Sequence, residues 1–76
     1  MKDLVSYLAG NLVDDRKQVR VDQKTDDNNK LIRLSVGKSD RGVIIGREGR
    51  TIKALRTLVR TAGIKAGTRI QLDLEE

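Results

Sequence analysis

Three stretches of this chain alternate apolar and polar residues, and two others repeat apolar residues at helical spacing. That change of period limits the fold more than any other feature. Val19 and Val21 alternate with Arg20 and Asp22 within residues 17–24. Ile32, Leu34 and Val36 alternate with Arg33 and Ser35, and Ile70, Leu72 and Leu74 alternate with Arg69, Gln71 and Asp73. A period of two places successive side chains on opposite faces of a half-buried strand. Leu4, Val5, Leu8 and Leu12 instead recur on one face of a helix over residues 2–13. Tyr7, the only aromatic residue, is expected at the edge of that face, packed. Ile52, Leu55, Leu58, Val59 and Ala62 form a second helical face over residues 50–62, with Gly63 read as its stop. Lys53, Arg56 and Arg60 fall on another face of the same helix.

Asp26, Asp27, Asn28 and Asn29 are turn formers between the first two strands and predict a hairpin. Ser39 or Asp40 can cap a short helix that carries Val43, Ile44 and Ile45 and ends at Gly46. The order is therefore helix, strand, strand, short helix, helix, strand. An α+β domain follows, a three-stranded sheet with helices on one face and its charged face in water.

Seventy-six residues allow one small domain, residues 1–76. The chain contains no cysteine, histidine, phenylalanine, tryptophan or proline. The lack of cysteine excludes disulfides and thiolate chemistry and suits a reducing, cytoplasmic setting. The apolar run at the start is broken by Ser6, Gly10 and Asn11, and reads as neither a signal peptide nor a membrane span. No cofactor or metal site is expected. The acids are scattered over loops and strand faces, with no pair converging on an apolar pocket, so an enzyme is not expected.

The net charge of +5 is uneven. Residues 1–37 carry seven cations and six anions, residues 38–69 nine cations and two anions, and residues 70–76 three anions. The resulting +1, +7 and −3 put the positive charge where two unusual glycines lie. A block of cations suits a polyanion, either nucleic acid or an anionic membrane, although a merely solvated surface would show the same balance.

Gly46 and Gly49 enclose only Arg47 and Glu48. A bend that tight favours positive φ, which glycine adopts without steric cost. A helix starting at about Gly49 or Arg50 leaves its first N–H groups unpaired, which favours an anion. Arg47, Arg50 and Lys53 add charge around the bend. A plain helical corner with capping glycines has the same spacing, so GxxG alone does not decide the matter.

Residues 44–52, IIGREGRTI, resemble the KH-domain signature. The element order resembles a type II KH domain. Length, the GREGRTIKALRT run and the closing TRIQLDL strand are similar to the small bacterial single-KH RNA-binding proteins of the KhpA family. The resemblance implies a mixed sheet with one parallel pair and single-stranded RNA clamped beside the GxxG loop. By position, Gly46, Arg47, Glu48 and Gly49 would hold the RNA backbone, with Arg50 and Lys53 adding charge. Val43, Ile44, Ile45 and Ile52, with Leu34 and Val36 on the adjoining strand, would border the apolar side of the cleft. The resemblance further implies a homodimer or a pairing with a KhpB-like protein. It also implies a post-transcriptional or RNA-chaperone role touching cell division, shape or envelope growth. Two alternatives stand beside it. One is a protein-interaction module with an incidental basic surface. The other is a helix-turn-helix DNA binder, disfavoured because such a turn does not need glycine at both ends.

Overall fold

The computed structural model describes residues 2–75. Helix α1 (Lys2–Leu12) leads through a 3-10 turn (Arg16–Gln18) into a hairpin of β1 (Arg20–Asp26) and β2 (Asn29–Ser35). A second 3-10 turn (Lys38–Asp40) enters the short α2 (Arg41–Ile45), and a third (Arg47–Gly49) enters α3 (Arg50–Lys65), which returns to β3 (Arg69–Leu74). The sheet order is β1-β2-β3, with β1 antiparallel and β3 parallel to the central β2. This is the α+β order and the mixed sheet that the sequence and the resemblance predict.

The core forms where the apolar strand faces meet the helices. Ile32, Leu34 and Ile44 are fully buried, and Val36, Ile52, Leu55, Val59, Ile70 and Leu72 nearly so. The opposite sheet face carries Asp22, Arg33 and Asp73 in one cross-strand row, which explains how it stays in water.

Several details depart from the sequence reading. The first strand begins at Arg20 rather than Lys17, because residues 16–18 form a turn in which Lys17 N donates to Asp15 Oδ1 at 3.2 Å. In α1 the buried stripe is Val5 and Ala9, continued by Val13 beyond the helix. Leu8 is half-buried, and Leu4 and Leu12 are each 40% exposed. The small Ala9 side chain lets the helix lie close to its neighbours, and that rotates the leucines outward. Tyr7 is 69% exposed, so it does not pack. On α3, Leu58 is 51% exposed for the same kind of reason: the helix buries Ile52, Leu55, Val59 and Gly63.

Gly63 does not stop α3. It is buried inside the helix, where a Cβ would lie 2.8 Å from Thr68 O and 2.9 Å from Ile70 Cγ1. Helix and returning strand touch there without a side chain between them. The true stop is Gly67 at φ +72°, with Thr68 N donating to Gly63 O (2.9 Å) and Gly67 N to Ile64 O (3.1 Å). Those two bonds form the Schellman pattern around a left-handed residue. Nor does either predicted cap close the start of α2 by a side-chain bond. Asp40 stands at the N-cap, but its buried carboxylate accepts from Asp14 N (3.2 Å) and Asp15 N (3.3 Å) instead. It thereby pins the end of α1 to the start of α2.

Candidate nucleic-acid interface

The bend between α2 and α3 is built from three left-handed residues. Gly46 has φ +76° and ψ 174°, Glu48 φ +58° and ψ 25°, and Gly49 φ +75° and ψ 15°. The conformation at Gly46 is essentially restricted to glycine. A Cβ on Gly46 would also collide with the Thr51 side chain and come within 2.9 Å of Thr51 N. Gly49 faces open space, the nearest group being Lys53 Cε at 4.0 Å, so its demand for glycine comes from φ alone. Glu48 holds a left-handed conformation without being glycine, which costs a side-chain-bearing residue about 1 kcal/mol.

Three amides of the bend are engaged by nearby carbonyls. Gly46 N donates to Gly42 O (2.9 Å), Gly49 N to Gly46 O (3.2 Å), and Arg50 N to Arg47 O. A turn with left-handed Glu48 and Gly49, at the start of the 16-residue α3, is a backbone conformation suited to an anion.

Arg47, Glu48, Arg50 and Lys53 are all exposed around it. Glu48 Oε2 lies 3.7 Å from Arg50 Nη2, with both side chains more than 70% exposed. The carboxylate is thus turned along the start of α3.

The six apolar residues assigned to the cleft separate by burial. Val43 (47%) and Ile45 (41%) are exposed on α2, beside the bend. Leu34 and Ile44 have no exposed surface, and Val36 and Ile52 are 7% exposed. These four belong to the core, and of the six only Val43 and Ile45 present apolar surface.

Sequence reasoning left Arg56 and Arg60 out of the site, though it placed both on one face of α3. They line an open cleft of about 300 Å³ with Ile70, Leu72 and Asp73. The cleft runs between α3 and the free edge of β3, and Arg56 Nε donates to Leu72 O across it at 3.0 Å. The i, i+3 and i+7 spacing of Lys53, Arg56 and Arg60 was the available signal.

The family model of the KhpA/KhpB KH domain matches residues 2–74. The chain belongs to the KhpA/KhpB KH-domain family. Among its relatives, the RNA-binding protein KhpA of Chlamydia pneumoniae is 41% identical over 76 residues, covering all of this chain and 97% of that protein. The RNA-binding protein KhpA of Halalkalibacterium halodurans is 45% identical over 74 residues, 97% of each chain. The Bacillus subtilis protein of the same name is 39% identical over 74 residues, 97% of this chain and 91% of its own. In structure, the chain is similar to part of Aquifex aeolicus Era crystallised with GDP and tetrafluoroaluminate, with a TM-score of 0.62 at 21% identity. That match covers 96% of this chain and 28% of Era, and it bears on the fold alone. Among the described residues, no helix is long and apolar enough to cross a membrane.

Proposed function

We propose that this KhpA/KhpB-family chain is a non-catalytic protein of the cytoplasm that binds single-stranded RNA and clamps its backbone at residues 46–49. The reading rests chiefly on the bend itself, which carries no Cβ at either end and stands at the start of α3 among the exposed Arg47, Arg50 and Lys53. A phosphate oxygen accepts from backbone N–H groups at the bend, and the dipole of α3 adds to their attraction. Arg47, Arg50 and Lys53 neutralise neighbouring phosphates. Val43 and Ile45 meet the bases on the apolar side, with Ile44, Ile52, Leu34 and Val36 fixing their height. The relatives named as RNA-binding proteins support the ligand class.

One exposed tyrosine offers no stacking platform of the kind an RRM uses. Binding then depends on phosphate contacts and aliphatic surface. The affinity expected of a lone domain is micromolar, and a second copy or a KhpB-like partner raises it through effective concentration. Such a module suits post-transcriptional regulation or RNA-chaperone work. A second reading, a protein-interaction module, has its own observation: Leu4 and Leu12 on α1 and Leu58 on α3 are all at least 40% exposed. Self-association or pairing through the helical layer is compatible with RNA held at the bend.

The deciding experiment replaces Arg47 and Glu48 with aspartate and keeps both glycines. Binding to a single-stranded RNA oligomer is expected to collapse while the circular dichroism spectrum and melting stay near wild type. Unchanged affinity removes the bend as the binding element. Salt gives an independent check: three phosphate contacts at a slope of about −0.7 each lose roughly ten- to twentyfold between about 50 and 200 mM.

A further inference from the structure

Strand β1 is an edge of the sheet, and its backbone is open to solvent along that edge. Glu75 N donates to Leu34 O, so the even-numbered residues of β2 turn their backbone groups toward β3. The odd-numbered Leu31, Arg33 and Ser35 therefore face β1, where they pair with Lys24, Asp22 and Arg20. That leaves Val21, Gln23 and Thr25 with their N–H and C=O turned to the free edge. Every residue of β1 is exposed except Val21, which is half-buried. Edges are commonly blunted by a proline, a bulge or charged side chains. The chain has no proline, and the register of β1 with β2 runs unbroken from Arg20 to Asp26. Charge is the device that remains.

That charge alternates in sign. Arg20, Asp22, Lys24 and Asp26 follow one another along the solvent face of β1. Across the hairpin, Arg20 stands opposite Ser35, Lys24 opposite Leu31 and Asp26 opposite Asn29, and only Asp22 faces an opposite charge, Arg33. Among the described residues, none of the four makes an ion pair. The chain itself leaves this pattern unused.

We propose that the free edge of β1 is a self-recognition surface, where β1 of a second copy pairs antiparallel about a two-fold axis at Gln23. Gln23 then stands opposite the partner's Gln23, and Val21 opposite the partner's Thr25. All of these turn their backbone groups outward, so each exchanges both hydrogen bonds with its opposite. On the solvent face Arg20 meets the partner's Asp26 and Asp22 the partner's Lys24, and the axis repeats both attractive pairs. Outward-facing residues must meet outward-facing ones, so the register slides only in steps of two residues. One step sets Asp22 against the partner's Asp22 and Arg20 against the partner's Lys24. A step the other way sets Lys24 against the partner's Lys24 and Asp22 against the partner's Asp26. Every charged pair in both is like-signed, so the alternation selects one register and rejects its neighbours. The bend at residues 46–49 leads into α3, which packs on β3 at the other edge of the sheet, away from the seam. The pairing is independent of the RNA reading, and its surface is distinct from the exposed leucines of the helical layer.

The chain has no cysteine, so a single introduced thiol reports on the seam. Gln23→Cys places two thiols across the axis on Cα atoms about 5.5 Å apart, and a short bismaleimide is expected to join them into a covalent dimer. Thr25→Cys separates its thiols by about 14 Å along the strands, at about 3.4 Å per residue, and is expected to cross-link far more slowly. In the Gln23→Cys background, Asp22→Lys and Lys24→Asp each turn the central charge pairs repulsive and should weaken dimerisation about tenfold. An equimolar mixture of those two variants should regain the cross-linking of Gln23→Cys alone, because opposite charges face each other again in the mixed dimer. Equal cross-linking of the two cysteine variants, or no cross-linking of Gln23→Cys, overturns the proposal. So does cross-linking that neither charge reversal lowers, or a mixture that fails to recover. A wild-type dimer in sedimentation velocity without cross-linking at position 23 puts self-association elsewhere on the molecule, and likewise overturns it. The comparison of the two cysteine variants decides the matter even where a charge reversal fails to fold.

Discussion

Gly46 and Thr51 occupy each other's space: a Cβ on the glycine would fall inside the threonine side chain and 2.9 Å from its amide nitrogen. The first turn of α3 is folded back against Gly46, the residue that follows α2, and the bend closes only without a side chain. Gly46→Ala is therefore expected to destabilise the domain by about 2–4 kcal/mol, combining backbone strain with overpacking. Gly49→Ala meets only the conformational term and should cost about 1 kcal/mol. Urea denaturation of the two variants checks the order. Equal losses would mean that the contact with Thr51 is relieved at little cost.

Glu48 introduces an anion among the cations of the bend, and its partner Arg50 stands 3.7 Å away in water. An exposed pair of this kind is worth about 0.5 kcal/mol or less. Glu48→Gln should leave the melting temperature within a few degrees of wild type and tighten RNA binding several-fold at low salt. The gain should shrink as salt rises, because screening removes long-range repulsion. Weaker binding in this variant would assign the carboxylate a favourable role at the helix start.

Asp40 is 3% exposed and accepts from two backbone amides that have come from the far side of α1. Asp40→Ala would leave Asp14 N and Asp15 N without that acceptor, at a cost of about 2–4 kcal/mol. Asp40→Asn, which keeps one acceptor oxygen, should lose about half as much. Hydrogen exchange at Asp14 and Asp15 gives the site-specific readout: both amides should exchange faster in the alanine variant.

Gly63 sets two terms against each other. Alanine in a helix interior is favoured over glycine by about 1 kcal/mol. Here the new methyl would stand 2.8 Å from Thr68 O, a backbone atom that the Schellman turn holds in place. The steric term should win, and Gly63→Ala is expected to lose about 1–3 kcal/mol net. Thermal denaturation decides the sign.

The strands were the most readable part of the sequence. Ile32, Leu34, Ile70 and Leu72 are buried where alternation puts them, because a strand offers only two faces. Helices offer a continuous choice of facing, which apolar spacing alone does not fix. Leu4, Leu12 and Leu58 looked like core by hydrophobicity, yet Ala9 and Gly63 occupy the inner positions. Close packing rewards a small residue at the tightest approach, which a scale of apolarity does not register. Gly63 misled for the same reason: a glycine near a helix end resembles a stop, and only the proximity of β3 shows it as a contact.

The candidate site divides in the same way. The sequence alone determined the order of the elements, the three-stranded sheet, the cations around residues 46–49 and the need for glycine at both ends of the bend. These follow from local backbone sterics and from periodicity, which act over a few residues. Tertiary structure decided that Val43 and Ile45 face outward while Ile44 and Ile52 are buried, and that Arg56 crosses to Leu72. Each of those depends on where distant segments come to rest, because burial and hydrogen-bond partnership belong to pairs of surfaces rather than to a stretch of chain.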